Sequence, residues 1–93
     1  MQEAISVIRD LKIRIEQLKN TDSSTMDKAT LCKILAMLNI SEMAILSNTK
    51  IEKNDRHYFD GQQFIGRYYG DWNQEWIAEG YLYVRMYIEK NNW

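Results

Sequence analysis

The sequence contains no proline, a single cysteine and only four glycines among its 93 residues. It has no low-complexity tract and no repeat of regular period, which excludes a proline-rich linker and a repeat architecture. The one cysteine, Cys32, cannot form an intramolecular disulfide. A signal peptide and an uninterrupted apolar run of 18 or more residues are also missing. We therefore expect a cytoplasmic protein with no membrane partner.

An excess of charge of either sign is missing as well. Twelve Lys or Arg residues stand against 13 Asp or Glu residues, which gives a formal net charge of −1. This balance excludes the strong positive field on which nonspecific nucleic-acid binding usually depends, although it leaves room for a local basic patch. Nucleic acid is therefore a disfavoured partner.

The composition that is present is that of an ordinary globular domain, with 45% hydrophobic and 27% charged residues. A chain of 93 residues is too short for two hydrophobic cores, so residues 1–93 are predicted to form a single domain. A core of this size supplies only about 3 to 5 kcal/mol of net stability, and association with a second copy would add to it. We therefore expect a homo-oligomer.

Sequence motifs for catalysis, metals and cofactors are missing. The glycines, at positions 61, 66, 70 and 80, fit neither a phosphate-binding loop nor a dinucleotide-binding turn. His57 and Cys32 are far apart in the chain, whereas structural zinc requires four N or S ligands in close pairs. Glu75 and Glu79 are more typical of a solvated helix face than of an acid/base pair. We predict no enzymatic activity, no cofactor and no metal, with His57 at the surface and Cys32 buried among apolar neighbours.

Apolar residues near the start of the chain recur at alternating spacings of three and four, which is the pattern of a packed helical seam. Residues 2–19 are therefore predicted to be helical. Ile13 lies outside the seam, so this helix has further apolar surface on its flank. The seam packs either inside the domain or against another copy of the chain. We assign it to oligomerisation, with the residues Ala4, Ile8, Leu11, Ile15 and Leu18.

A second helix is predicted after a polar loop at residues 20–25. Helical spacing runs from Met26 to Leu38. Asn39 suits the C-terminal end of that helix, because asparagine tolerates a left-handed backbone. Ser41 is able to cap a short third helix that ends at Leu46.

The chain has two compositional halves. Residues 47–55 are polar and weakly patterned, and we interpret them as the connection between a helical half, 1–46, and a second half, 56–93. All 11 aromatic residues belong to the second half. Within it, Asp60 and Gly61 form either a hairpin turn or the cap of a helix.

Residues 74–90 fit two periodicities. On a helical wheel their charged residues fall within one arc, which favours a helix. Read as a strand, residues 81–88 alternate between aliphatic and mainly aromatic side chains. A strand needs partners that the sequence does not clearly supply, so we predict a helix. The fold class is therefore mostly α, a small single-domain helical bundle with an aromatic-rich C-terminal half, with an α+β domain carrying a strand at 81–88 as the alternative.

The aromatic half indicates a protein that binds another protein. Tryptophan, tyrosine and arginine are enriched at interface hot spots, and a small domain cannot easily bury all of its aromatic side chains. Trp93 is predicted to be exposed, because residues at the end of a chain seldom join a core. The small size and the Asn/Lys/Ile-leaning composition resemble those of accessory proteins from phages and mobile elements, many of which inhibit or regulate host proteins. The predicted partner-binding residues are Trp72, Trp76, Tyr83, Arg85, Tyr87 and Trp93.

Two other functions are compatible with the sequence. Residues 30–50 resemble a helix-turn-helix with its turn at Asn39, and residues 54–64 resemble a wing, as in small DNA-binding regulators. The second alternative is a nucleotide or small-ligand binder in which aromatic rings stack on a base and Arg67 or Arg85 binds a phosphate.

Overall fold

A computed structural model of the chain describes residues 2–20, 28–61 and 75–93. Within these ranges the secondary structure consists of helices, with no strand. They are α1 (Gln2–Lys19), α2 (Lys28–Ser47), a 3₁₀ helix (Lys53–Phe59) and α3 (Glu75–Asn91). The prediction of a small, mostly helical domain is confirmed. The predicted loop at 20–25 and the residues beyond Gly61 that would complete a hairpin or wing lie largely outside the described residues.

Helix α1 has the predicted bounds and buries its apolar seam inside the domain. Four of the five seam residues are buried, and Leu18 packs against the core from its edge. The helix packs against both α2 and α3. The seam therefore lies in the chain's own core, and the homo-oligomer stays a prediction that needs another surface.

Helix α2 is one continuous helix, which corrects the predicted division at Asn39. The Ser41 hydroxyl does not cap a new helix, because it donates a hydrogen bond of 2.8 Å to the carbonyl oxygen of Met37 within the same helix. Core residues lie on both sides of the predicted break, including Leu38 and Ala44. A helix-turn-helix is therefore not formed at residues 30–50.

The C-terminal end of α2 lies at a second asparagine, Asn48. Its φ of 53° is the left-handed conformation that terminates a helix. The backbone N–H of Asn48 donates to the carbonyl of Ile45, and that of Thr49 donates to the carbonyl of Ala44, at 3.2 and 3.0 Å. This pair of hydrogen bonds is a Schellman motif, which satisfies carbonyl groups that the helix itself leaves unpaired.

The segment after α2 belongs to the core. Ile51 is buried, and Phe59, the last residue of the 3₁₀ helix, is fully buried. The ring of Trp93 meets the Phe59 ring edge to face, at a centroid distance of 5.7 Å. The guanidinium of Arg56 lies over the Trp93 ring at 4.6 Å and donates a hydrogen bond to the Trp93 carbonyl. Trp93 is therefore half-buried and packed, and the prediction that it is exposed was wrong.

The prediction of a helix over residues 74–90 is confirmed by α3 for its described part, 75–90, and the strand at 81–88 is excluded. One face of the helix lies in the core. The Tyr81 hydroxyl oxygen accepts a hydrogen bond of 2.7 Å from the backbone N–H of Gly61, and burial raises the pKa of this phenol. The buried residues of this face are Ile77, Ala78, Tyr81, Val84 and Ile88.

Asn92 joins the end of α3 to the end of α2. Its side-chain amide donates to the carbonyl oxygens of Ala44 and Thr49, at 3.3 and 2.8 Å. Its own carbonyl accepts a hydrogen bond of 2.7 Å from the backbone N–H of Ile51. A buried polar group with its hydrogen bonds made costs little stability, and this one fixes the position of the C-terminal turn.

Helices α1 and α3 approach closely at Gly80. A Cβ atom at this position would lie 2.6 Å from both methyl carbons of Leu11, which is buried. Glycine normally weakens a helix interior by about 1 kcal/mol relative to alanine. The close approach to α1 explains its presence here.

Gly80→Ala is expected to gain little or no stability, because overpacking against Leu11 offsets the improved helix propensity. In a Leu11→Ala background the contact is gone, and Gly80→Ala should be more favourable there by about 1 kcal/mol or more. Urea unfolding of the two single variants, the double variant and the parent protein measures this coupling. Additive effects would contradict the contact.

Candidate functional site

The outward face of α3 carries exposed residues of a kind that a small domain usually buries. Met86 is 69% exposed and Tyr83 is 37% exposed, and both lie opposite the buried face of the helix. Two exposed charged residues, Glu79 and Lys90, flank them along the same face. The spacings between the four residues are four, three and four, so they form one line along the helix. We call this line the α3 stripe, defined by Glu79, Tyr83, Met86 and Lys90.

A concave surface that encloses a volume of about 550 Å³ lies along the stripe. Its described lining consists of Tyr83, Met86, Tyr87, Lys90 and Asn91. The side-chain amide of Asn91 donates to the carbonyl of Tyr87 at 2.9 Å, so it serves the last turn of the helix. The surface therefore combines two tyrosine rings, a flexible thioether and one ammonium group.

Two of the six predicted partner-binding residues, Tyr83 and Tyr87, lie on this surface. Trp76 is half-buried, and the guanidinium of Arg14 covers its ring at 4.0 Å. Arg85 is engaged in a 2.8 Å ion pair with Glu89, one helical turn away. Trp72 lies outside the described residues. With Trp93 packed on Phe59, the five described residues of the six do not lie together on one face.

Met86 was missed by the sequence reasoning, although a signal for it was present. On the helical wheel it falls inside the arc of charged residues in 74–90, where a large apolar side chain is out of place. Three further exposed apolar side chains lie on α1 and α2: Ile13, Met43 and Leu46. Of these, the sequence pattern had placed only Ile13 outside the buried seam.

Cys32 is exposed, which corrects the prediction that it is buried. It lies on α2 between Leu31, which is buried, and Lys33, which is partly buried. Apolar neighbours in the sequence do not determine which side of a helix faces the core, since each residue turns by about 100° from the last. Nothing on the surface around Cys32 assigns chemistry to it.

The main ion pairs between helices join α1 to α2. Glu42 accepts hydrogen bonds of 2.9 Å from the Lys12 ammonium and 2.8 Å from the Arg9 guanidinium. These two bonds hold the pKa of the Glu42 carboxyl below its usual range, and the bond from Lys12 has the larger effect. The ion pairs of Glu42 therefore stabilise the fold fully at a pH above the ordinary carboxyl pKa. This stabilisation is lost as the pH falls through the lowered pKa of Glu42. Its size is modest, because Arg9 is largely exposed to solvent.

Residues with catalytic or metal-binding chemistry do not converge in the part of the chain described here. Among residues 2–20, 28–61 and 75–93, no group of three or more His, Cys, Asp or Glu side chains is placed to hold a metal ion. His57 is exposed, and its ring lies 4.0 Å from that of Tyr58. Of the two arginines suggested for phosphate binding, Arg85 is paired with Glu89 and Arg67 lies outside the described ranges.

Helix α2 is long and apolar enough to cross a membrane by length and composition alone. It was the one helix among the described residues to meet this test, which buried core helices of water-soluble domains also meet. Eight of its 20 residues are buried in the domain core. Those contacts account for part of its apolar character, and Met43 and Leu46 on the same helix are exposed.

Comparison with known proteins assigns neither a family nor a function to the chain. No protein-family model, curated protein or solved structure matches the chain. The candidate site is therefore judged from its own residues, and the α3 stripe is chosen because two of the predicted partner-binding residues, Tyr83 and Tyr87, line the adjoining concave surface.

Proposed function

We propose that this chain is a non-catalytic accessory protein that binds another protein, and inhibits or regulates it, by occupying its surface with the outward face of α3. The observation that carries the proposal is the exposure of Tyr83 and Met86 side by side in the α3 stripe. Neighbouring large apolar side chains exposed on one helix face are a feature of protein interaction sites, whereas single ones are common on any surface. Tyrosine is enriched at interface hot spots, and methionine adapts its shape to irregular contacts.

The charges of the stripe define the chemistry of the partner. Glu79 and Lys90 are exposed at opposite ends of the line, with the apolar pair between them. A complementary surface presents one or two apolar side chains in the middle, a cation opposite Glu79 and an anion opposite Lys90. An amphipathic helix laid along α3 meets these conditions, since helical partners dock through side chains at the same spacing.

The described residues favour the two alternative functions less than the binding of a protein. The DNA-binding alternative depended on a turn at Asn39, and α2 passes through that residue without a break. The ligand-binding alternative depended on Arg67 or Arg85 to bind a phosphate; Arg85 is engaged with Glu89, and Arg67 lies outside the described residues. Neither has a described feature in its favour comparable to the stripe.

Met86→Asp is expected to abolish capture of the partner, because it places a carboxylate at the centre of the apolar contact. The measurement is a pull-down from the native host with three baits: the parent protein, Met86→Asp and Ile13→Asp. Ile13 is the matched control, since it is 61% exposed on α1. We expect the parent protein and Ile13→Asp to enrich the same protein and Met86→Asp to lose it by about tenfold or more, as for a hot-spot residue.

Two results would count against the proposal. Equal loss of the partner from the Met86→Asp and Ile13→Asp baits would show that α3 is not the binding face. Enrichment of chromosomal DNA, with binding that falls steeply between low salt and 0.2 M salt, would indicate phosphate contacts and a nucleic-acid-binding function instead.

A further inference from the structure

The α3 stripe is complementary to itself. The midpoint between Glu79 and Lys90 along the helix coincides with the midpoint between Tyr83 and Met86, at the peptide bond joining Val84 and Arg85. A two-fold axis that lies between two copies at the level of this point, perpendicular to both helices, therefore exchanges the members of both pairs. Each copy then presents the cation, the apolar pair and the anion that the stripe of the other copy requires.

We propose that two copies of this chain bind each other through their α3 stripes as an antiparallel helix pair. The inference rests on the proposed function, because it uses the same protein-binding face and names a second copy as a partner. Glu79 of each copy faces Lys90 of the other, and Tyr83 of each copy faces Met86 of the other. The contact is isologous, so one dimer contains each of these pairs twice.

The spacing along the stripe supports the antiparallel arrangement. Separations of four, three and four are those of alternating a and d positions in a heptad, and antiparallel helices pair an a position with a d position. A parallel pair would place Glu79 opposite Glu79 and Lys90 opposite Lys90, which is repulsive at both ends. The two central contacts bring a methionine sulfur to a tyrosine ring, an attractive combination.

The buried seam of α1 makes this surface the better candidate for self-association. Ile8, Leu11 and Ile15 lie in the core of a single chain and are not accessible to a second copy. The α3 stripe is exposed, but it extends over only about 17 Å, so the contact is shorter than a full coiled coil. We therefore expect a dimer that dissociates on dilution and weakens with salt, because its outer pairs are exposed charges.

Charge reversal tests the arrangement by sedimentation equilibrium. Glu79→Lys alone and Lys90→Glu alone each place like charges opposite each other, and each should raise the dimer dissociation constant by about tenfold, since two symmetric pairs change together. An equimolar mixture of the two variants restores both attractive pairs and should form a heterodimer. The Glu79→Lys/Lys90→Glu double variant should again form a homodimer.

The controls are Glu52→Lys and Lys53→Glu, which reverse exposed charges outside the α3 stripe. They should leave the dissociation constant unchanged, and circular dichroism should show that all variants keep the parental fold. A parent protein that stays monomeric at millimolar concentration would overturn the proposal, as would a double variant no more dimeric than either single variant. If the parent protein is monomeric and the pull-down still depends on Met86, the self-association fails while the protein-binding function stands.

Discussion

Ile8→Asp is expected to unfold the domain at room temperature. Ile8 is 0% exposed in the centre of the α1 seam, and among the described residues the buried core contains no basic side chain to pair with a carboxylate. The substitution loses about 1.5 to 3 kcal/mol of apolar burial and adds several kcal/mol for an unpaired buried charge. A domain of this length has a net stability on the order of 5 kcal/mol, which the combined loss exceeds.

Circular dichroism and thermal melting measure this effect. Ile13→Asp is the matched control on the same helix, since Ile13 is exposed, and it should change the free energy of unfolding by less than about 0.5 kcal/mol. The comparison also tests whether the α1 seam packs inside the domain or against another copy of the chain, which the sequence left open. A folded Ile8→Asp protein that changed only from oligomer to monomer would show that the seam lies between chains, contrary to the structure.

Phe59→Ala is expected to lower the free energy of unfolding by about 3 to 5 kcal/mol, as for other fully buried aromatic residues. Phe59 is 0% exposed, and its ring packs against that of Trp93, so the truncation leaves a cavity and removes a ring contact. The free energy of unfolding is obtained from urea titration of purified protein. The fall should be large enough to populate the unfolded state near body temperature.

His57→Ala is the control for that measurement. His57 lies two residues earlier in the same 3₁₀ helix and is exposed, so its loss should cost less than about 0.5 kcal/mol. A loss below about 1 kcal/mol for Phe59→Ala would mean that the segment after α2 is not part of the core. The packing of Trp93, and with it the end of α3, would then also be in question.

The proposals for function and for self-association both concern α3, which has two faces with different roles. The inner face packs against α1 and contributes Tyr81, whose hydroxyl holds the backbone at Gly61. The outer face carries the stripe. Substitutions at Tyr83 and Met86 therefore leave the inner contacts intact, and their effects on binding can be measured on folded protein.

Two asparagines that could each end a helix have different roles in the fold. Asn39 and Asn48 are the same residue type, and both follow helical sequence, yet only Asn48 adopts the left-handed conformation that ends α2. The reason is that residues of α2 beyond Asn39 are buried in the core. At the C-terminal end of α2, by contrast, the side-chain amide of Asn92 donates hydrogen bonds to the carbonyls of Ala44 and Thr49. A terminal cap is worth about 1 kcal/mol, less than the burial of two or three further apolar side chains.

The sequence by itself determined the class of the domain and the bounds of α1, and it favoured a helix over a strand for residues 74–90. Helix α1 repeats apolar residues over several turns, and this periodicity follows from the geometry of a single helix, so no knowledge of its neighbours is needed. Burial depends instead on where the other helices lie. Only the tertiary structure could therefore place the α1 seam inside the chain, pack Trp93 against Phe59 and turn Cys32 to the solvent. The same arrangement left Met86 exposed, because α1 and α2 pack against the opposite face of α3.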